Sequence, residues 1–128
     1  MENLRKRQIA IYCRVGNNDQ LGLEAQEEQV KAYVASHPEW ELVKVYSDSC
    51  PSARLGQRKG LAGLIRGARN QEFSQVVILS GSQLARECQN HHLLLKKLQK
   101  EGLTVHYADG TNPNDLDCFL QYILRQGM

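Results

Sequence analysis

Proline occurs only three times in these 128 residues, tryptophan once, and aromatic residues make up 6%. So little proline excludes a collagen-like or polyproline chain. No run approaches the ~20 apolar residues of a membrane-spanning helix, so no membrane partner is expected. The opening MENLRKRQIAIYC follows its basic residues with a short apolar stretch and no small-residue cleavage site. It therefore lacks a secretory signal, and a cytoplasmic chain is expected. Cys13, Cys50, Cys88 and Cys118 form no C-x-x-C pair, and reduced, mostly buried thiols are expected of them. Charge of one sign is also missing: 16 Lys+Arg against 14 Asp+Glu leave a net +2, too little to declare a polyanion partner. With 41% hydrophobic and 23% charged residues the chain reads as one globular domain, 1–128, with no repeat and no linker.

The periodicity alternates strand and helix four times. Gln8–Arg14 (QIAIYCR) reads as a short buried strand, and Trp40–Ser47 (WELVKVYS) as a second, β-branched and aromatic. Between them Leu23–Ser36 puts Leu23, Val30, Tyr33 and Val34 on one helical face, with Glu24, Glu27, Glu28 and Lys31 opposite. Asp48–Gln57, with Pro51 and two serines after Asp48, reads as an exposed loop. A helix over Lys59–Gln71 places Leu61, Leu64, Ile65 and Ala68 inward. Gln75–Ser80 (QVVILS) is the continuous apolar run of a parallel strand covered on both faces. Asn90–Glu101 reads as a helix capped by Asn90, buried along Leu93, Leu94 and Leu98 and closed by Gly102. Leu103–Ala108 is a fourth strand, and Asn114–Arg125 a last helix with Leu116, Phe119, Leu120 and Ile123 inward. Alternation of this kind predicts an α/β fold in three layers: a mostly parallel four- to five-stranded sheet with helices on both faces.

Ligands of such sheets sit outside the carboxyl ends of the strands, which nominates the loops 14–21, 48–58, 80–86 and 109–113. Between Asp48 and Glu72 stand Arg54, Arg58, Lys59, Arg66 and Arg69, with no acidic residue. The small net charge thus conceals a basic stretch beside the expected cleft, suited to phosphate because a guanidinium donates in a planar fork. Arg66 and Arg69 read as lining a solvent face, whereas Arg58, just ahead of a helix, is the better phosphate candidate. The loop RVGNNDQLG lacks G-x-G-x-x-G, which argues against a dinucleotide. Cys88, His91 and His92 share a helical turn but have no fourth ligand at matching spacing, so they read as a helix start with solvated histidines. No metal and no cofactor is expected.

The segment Tyr12-Cys13-Arg14-Val15-Gly16-Asn17-Asn18-Asp19-Gln20, followed by LEAQEEQVKAY, resembles the opening of the serine recombinase (resolvase/invertase) catalytic domain. There a Tyr-x-Arg-Val-Ser-Thr-x-x-Gln pattern precedes a helix beginning Leu-Glu-x-Gln. The likeness continues through VYSDS, through Arg58 ahead of GLAGLIRGAR, through VVILSGSQLAR and into LTVHYA, covering about residues 8–125. It implies a resolvase-like fold and the chemistry of DNA recombination and integration: a serine hydroxyl attacks a phosphodiester, and arginines stabilise the developing charge without a metal. Carried over position by position, Arg14, Gln20, Arg58 and Arg86 match the family's phosphate-contacting residues.

The departures fall on the chemistry. Gly16 stands where the nucleophilic serine belongs, and Ser82 and Gln83 replace the Asp-Arg pair of the Asp-Arg-Leu-Ser-Arg motif. Asn17 and Ala85 replace a threonine and a serine. The expectation is a pseudoenzyme: a domain with residual DNA-phosphate binding, weak by itself, that pairs with a second copy or with an intact recombinase. The family's long C-terminal helix and DNA-reading module are expected to be missing. Two alternatives stand beside it. One is an active domain using Ser49, Ser52, Ser80 or Ser82, none of which has a candidate base nearby in sequence; the other is a protein-interaction module with no tie to DNA.

Overall fold

The computed structural model describes residues 6–17, 19–50, 58–85 and 88–113, without the side chains of residues 88 and 89. Arg54, Arg86, Cys118 and the expected helix over 114–125 lie outside the described residues.

Strand β1 (Arg7–Val15) leads into helix α1 (Gln20–Ala35), then β2 (Trp40–Ser49), α2 (Lys59–Arg69) and β3 (Gln75–Ile78). A single turn α3 (Gly81–Leu84), helix α4 (Cys88–Lys100) and β4 (Thr104–Tyr107) follow. The strands form one sheet in the order β2-β1-β3-β4, every neighbouring pair parallel. This is the parallel α/β architecture expected from the alternating elements.

β1 lies inside the sheet and is buried on both faces, which explains its unbroken apolar run. Ile9, Ile11 and Cys13 face α1, where Leu23, Val30, Val34, Trp40 and Val77 complete one core. Ala10 and Tyr12 face the other side, packed with Leu61, Leu64 and Ala68 of α2, Leu95 and Leu98 of α4, and Val76, Ile78, Val105 and Tyr107 of the sheet. Helices therefore cover both faces, and Cys13 and Cys50 are buried free thiols as expected. Burial pushes the Cys13 thiol up to about 12, so it stays protonated and unreactive.

Helix α2 sits close to β2 because its facing positions are glycine. A Cβ at Gly60 would fall 2.4 Å from the Ser47 carbonyl oxygen, and one at Gly67 2.9 Å from the Tyr46 hydroxyl. Both α2 and α4 end in the same two-bond closure. Glu72 N–H donates to Gly67 O and Gln71 N–H to Ala68 O after α2; Leu103 N–H donates to Leu98 O and Gly102 N–H to Gln99 O after α4. Gly102, at φ +92°, fills the left-handed position expected of it.

Four local expectations are corrected. Asp48 belongs to β2 and is buried rather than standing in an exposed loop. The loop 80–86 contains the turn α3. Helix α4 begins at Cys88, so Asn90 lies inside it and is not its cap. Its buried stripe runs through Leu95 and Leu98, while Leu93 is 58% exposed. In a run of three leucines the 3.6-residue period alone does not say which one leads the stripe, and the contact with the sheet decides.

Candidate functional site

β1 pairs with β2 on one side and β3 on the other, so the chain reverses its direction of travel across the sheet between β1 and β3. A crevice outside the carboxyl ends at such a switch point is where ligands of open α/β sheets bind. Arg14, at the end of β1, and the turn α3, following β3, meet there.

The end of β1 is pinned by a residue from α1. Arg14 N–H donates to Gln26 Oε1 at 3.0 Å, and Gln26 Nε2 donates to Arg14 O at 3.1 Å. The amide of Gln26 thus stands in for a neighbouring strand just past the last β1–β3 pair, Tyr12 with Ile78. Its sequence signal was a polar residue inside the apolar face of α1, between Leu23 and Val30.

The Arg14 side chain is only 4% exposed. Its Nε donates to Gln83 O at 2.7 Å, Nη2 to Ser82 O at 3.0 Å and Nη1 to Cys50 O at 2.9 Å. Arg58 is 1% exposed. It donates through Nη1 to Leu84 O at 2.7 Å, and through Nε and Nη2 to the Tyr12 hydroxyl at 3.1 and 3.0 Å. Its guanidinium carbon also lies 5.5 Å from the centre of the Tyr12 ring, within cation–π range.

Tyr12 passes the contact on. Its hydroxyl donates to Asp48 Oδ2 at 2.7 Å, and the Asp48 carboxylate accepts from the N–H groups of Gly60 and Leu61 at 2.7 and 2.9 Å. Asp48, a strand residue, therefore caps helix α2, whose own N-cap residue Arg58 makes no capping bond. A carboxylate at a helix N-terminus satisfies two orphan donors and meets the positive end of the dipole. It also fills the α2 N-terminus that would otherwise attract phosphate near Arg58. Burial, opposed by the nearby Arg58 charge, pushes the Tyr12 hydroxyl well above the ordinary phenol range, which keeps it a donor at any physiological pH. No sequence motif announced this Asp48–Tyr12–Arg58 chain, because it joins β2, β1 and the residue before α2.

The remaining expected positions are dispersed. Gly16 is exposed, and a Cβ there would meet nothing within 4 Å. Gln20 opens α1 and donates to Glu24 at 3.0 Å, while the α1 N-terminus is capped by Asp19 accepting from Gly22 N–H. Ser82 is exposed and Gln83 half-buried; the Ser80 and Ser82 hydroxyls lie 2.9 Å apart and both bond the Gln83 amide oxygen. Arg86 lies outside the described residues. The structure thus joins Arg14, Arg58, Ser82 and Gln83, and leaves Gln20 bonded along its own helix.

His91 is not the solvated histidine expected. Its ring packs against Gly81, between Ser80 and Ser82, and its Nε2 bonds the Tyr107 hydroxyl. Tertiary structure thus brings an imidazole beside the 80–83 serines. Burial holds it below the usual histidine range, so it is neutral near pH 7. Among the described residues no three His, Cys, Asp or Glu side chains gather as a metal site, and no helix is long and apolar enough to cross a membrane.

Solved structures with this fold include three informative ones. The C-terminal catalytic domain of ISC1926 TnpA, an IS607-like serine recombinase, is 22% identical, with a TM-score of 0.70 over 92% of this chain and 78% of that one. The N-terminal catalytic domain of TP901-1 integrase is 20% identical, with a TM-score of 0.72 over 93% and 94%. A resolvase family site-specific recombinase from Streptococcus pneumoniae is 22% identical, with a TM-score of 0.68 over 94% and 84%. A comparison with curated protein sequences gave no match. The family model described as the resolvase N-terminal domain matches residues 9–124, nearly the whole chain, and the chain accordingly belongs to the resolvase family.

Proposed function

We propose that this resolvase-family domain does not cleave DNA, retains a weak contact with a DNA phosphodiester at Arg14, and acts in association with a second copy or an intact recombinase. Gly16 carries the reading: hydrogen cannot attack phosphorus, and removing the nucleophile closes the covalent route. The open space around Gly16 means that its lack of a side chain answers no packing demand. Ser82 and Gln83, in place of an acid and a guanidinium, remove further charge stabilisation, at roughly 10²–10³ in rate per lost donor. In this reading Arg14 takes the phosphate, Arg58 supplies a fixed positive charge beside it, and Gln20 and Arg86 keep the phosphate-contacting roles that the family resemblance gives their positions.

The test incubates the protein with supercoiled DNA carrying a recombination site, an intact relative serving as positive control. No covalent protein–DNA adduct is expected from the chain. Gly16→Ser alone is expected to leave it inactive, because positions 82 and 83 stay altered. An adduct formed by the unaltered chain and lost in Ser80→Ala or Ser82→Ala would overturn the proposal in favour of a relocated nucleophile. The position of the His91 ring is the one observation on that side, and two bonds oppose it: Ser80 Oγ is held by Gln83, and His91 Nε2 by Tyr107.

A further inference from the structure

The two buried arginines are held in different ways. The shorter bonds of Arg58 go to groups that cannot leave without opening the core, the Tyr12 hydroxyl and the carbonyl of Leu84, whose side chain is fully buried, and only a long contact of 3.5 Å reaches the Gln83 carbonyl. Arg14 keeps one bond to the buried Cys50 carbonyl beside the end of β2, and its other two reported bonds go to the carbonyls of Ser82 and Gln83, which belong to the outer part of a single four-residue turn. That turn is bounded by extended backbone at Ser80 and Ala85. Its internal ties are Gln83 N–H to Ser80 O, Ala85 N–H to Gly81 O, and the Gln83 amide oxygen accepting from the Ser80 and Ser82 hydroxyls. The peptide units of residues 82 and 83 can therefore turn away from Arg14 while Leu84 stays seated. Ser82 is already exposed, so a released carbonyl meets water rather than the core.

We propose that the Ser82 and Gln83 carbonyls are an internal occupant of Arg14 that a DNA phosphodiester must displace, while Arg58 stays a structural cation throughout. The proposal rests on the phosphate-binding reading above and specifies how that site is regulated. A guanidinium bonds an anionic oxygen more strongly than a neutral carbonyl, so the exchange is favourable once the turn has moved. Until then Arg14 has almost no exposed surface, and apparent affinity is reduced by the small fraction of molecules with the turn open.

Gln83→Ala removes the amide that ties the turn to two serine hydroxyls without touching the core. Hydrogen exchange at the amides of residues 83 and 85 reads turn opening, and fluorescence anisotropy with a short labelled duplex DNA at low salt reads binding. The expected result is faster exchange and about fivefold tighter binding, comparable with the loss of one neutral hydrogen bond, with the gain abolished in Gln83→Ala/Arg14→Met. Ser80→Ala/Ser82→Ala removes the same ties from the other side and must act in the same direction. Faster exchange with unchanged affinity, in a protein whose binding is weakened by Arg14→Met, overturns the internal occupant and leaves the phosphate contact standing. Binding indifferent to Arg14→Met in every background overturns both. Inorganic phosphate titrated against the same amides separates the anion's own effect from that of duplex DNA.

Discussion

The carboxyl and amino ends of the sheet are both rich in basic residues, and they use them in opposite ways. At the carboxyl end the first two helices begin, capped by Asp19 and Asp48, and the arginines are buried with their donors on carbonyls and on Tyr12. At the amino end α2 and α4 finish with Arg66, Arg69, Lys97 and Lys100, cations in the last turns where the helix dipole favours them. Arg69 and Lys97 converge on Glu101 at 2.8 and 2.9 Å, on the rim of an open cavity of about 940 Å³ that Lys6, Arg7 and Lys100 also line. One stretch of sequence thus feeds both ends. Arg58 and Arg69 are separated by the length of α2, roughly 16 Å at 1.5 Å per residue, and the basic patch read between Asp48 and Glu72 is really two. A count of positive residues along a chain therefore does not locate a phosphate site; the direction of the intervening helix does.

The largest expected effect breaks the carboxyl end. Asp48→Ala leaves the α2 N-terminus uncapped and takes the acceptor from the Tyr12 hydroxyl, on which two Arg58 donors rest. A loss of about 3–5 kcal/mol is expected, measured by urea denaturation, because one member of a buried charged network has been taken away. A loss under about 1 kcal/mol would mean that water replaces the carboxylate and that the network is not what holds this end.

A smaller effect comes with pH and is reported by the amino end. His106 Nε2 donates to Gln75 Oε1 at 2.6 Å, and its ring lies 4.8 Å from Trp40, the chain's single tryptophan, on which His37 stacks at 4.0 Å. Burial first, then the charges of His37 and Arg7, hold its imidazole below the usual histidine range. A base whose folded value is lowered binds its proton more readily when unfolded. Its stabilisation is complete above the unfolded value of about 6.5 and is lost as pH falls from there through the folded value. The urea midpoint followed by Trp40 fluorescence is thus expected to be lower at about pH 5.5 than at about pH 7.5. His106→Asn should flatten part of that dependence and leave the part due to His91, which is lowered in the same direction.

The smallest effect is expected from Arg69→Ala. Its ion pair with Glu101 joins the ends of α2 and α4 in an exposed position, where solvent screens the attraction, and Lys97 still reaches the same carboxylate. The denaturation midpoint should scarcely move, and added salt should erase what difference there is. A loss rivalling that of Asp48→Ala would end the contrast between the two ends.

Much of this was legible in the sequence, for a definite reason. Side-chain period is a local property, so QIAIYCR, QVVILS and the leucine pattern of α2 identified their elements without knowledge of neighbours. The resemblance of the first strand and its loop to the serine recombinases likewise pointed to Arg14 and Arg58, and the structure places those two together at the switch point. Illegible were the partners. Gln26 completing the edge of β1, Asp48 capping a helix it does not belong to, and His91 reaching Gly81 each join residues 10 or more positions apart through space.

By itself the sequence determined the parallel α/β arrangement, through hydrophobic period and turn residues, and it determined that position 16 has no nucleophile, because glycine carries no side chain whatever surrounds it. Only the tertiary structure decided what the arginines do. A guanidinium donates equally well to a phosphate or a carbonyl, and which it meets depends on the segment that the fold brings to it. For Arg14 those segments are the turn after β3 and the end of β2, whose carbonyls take its donors.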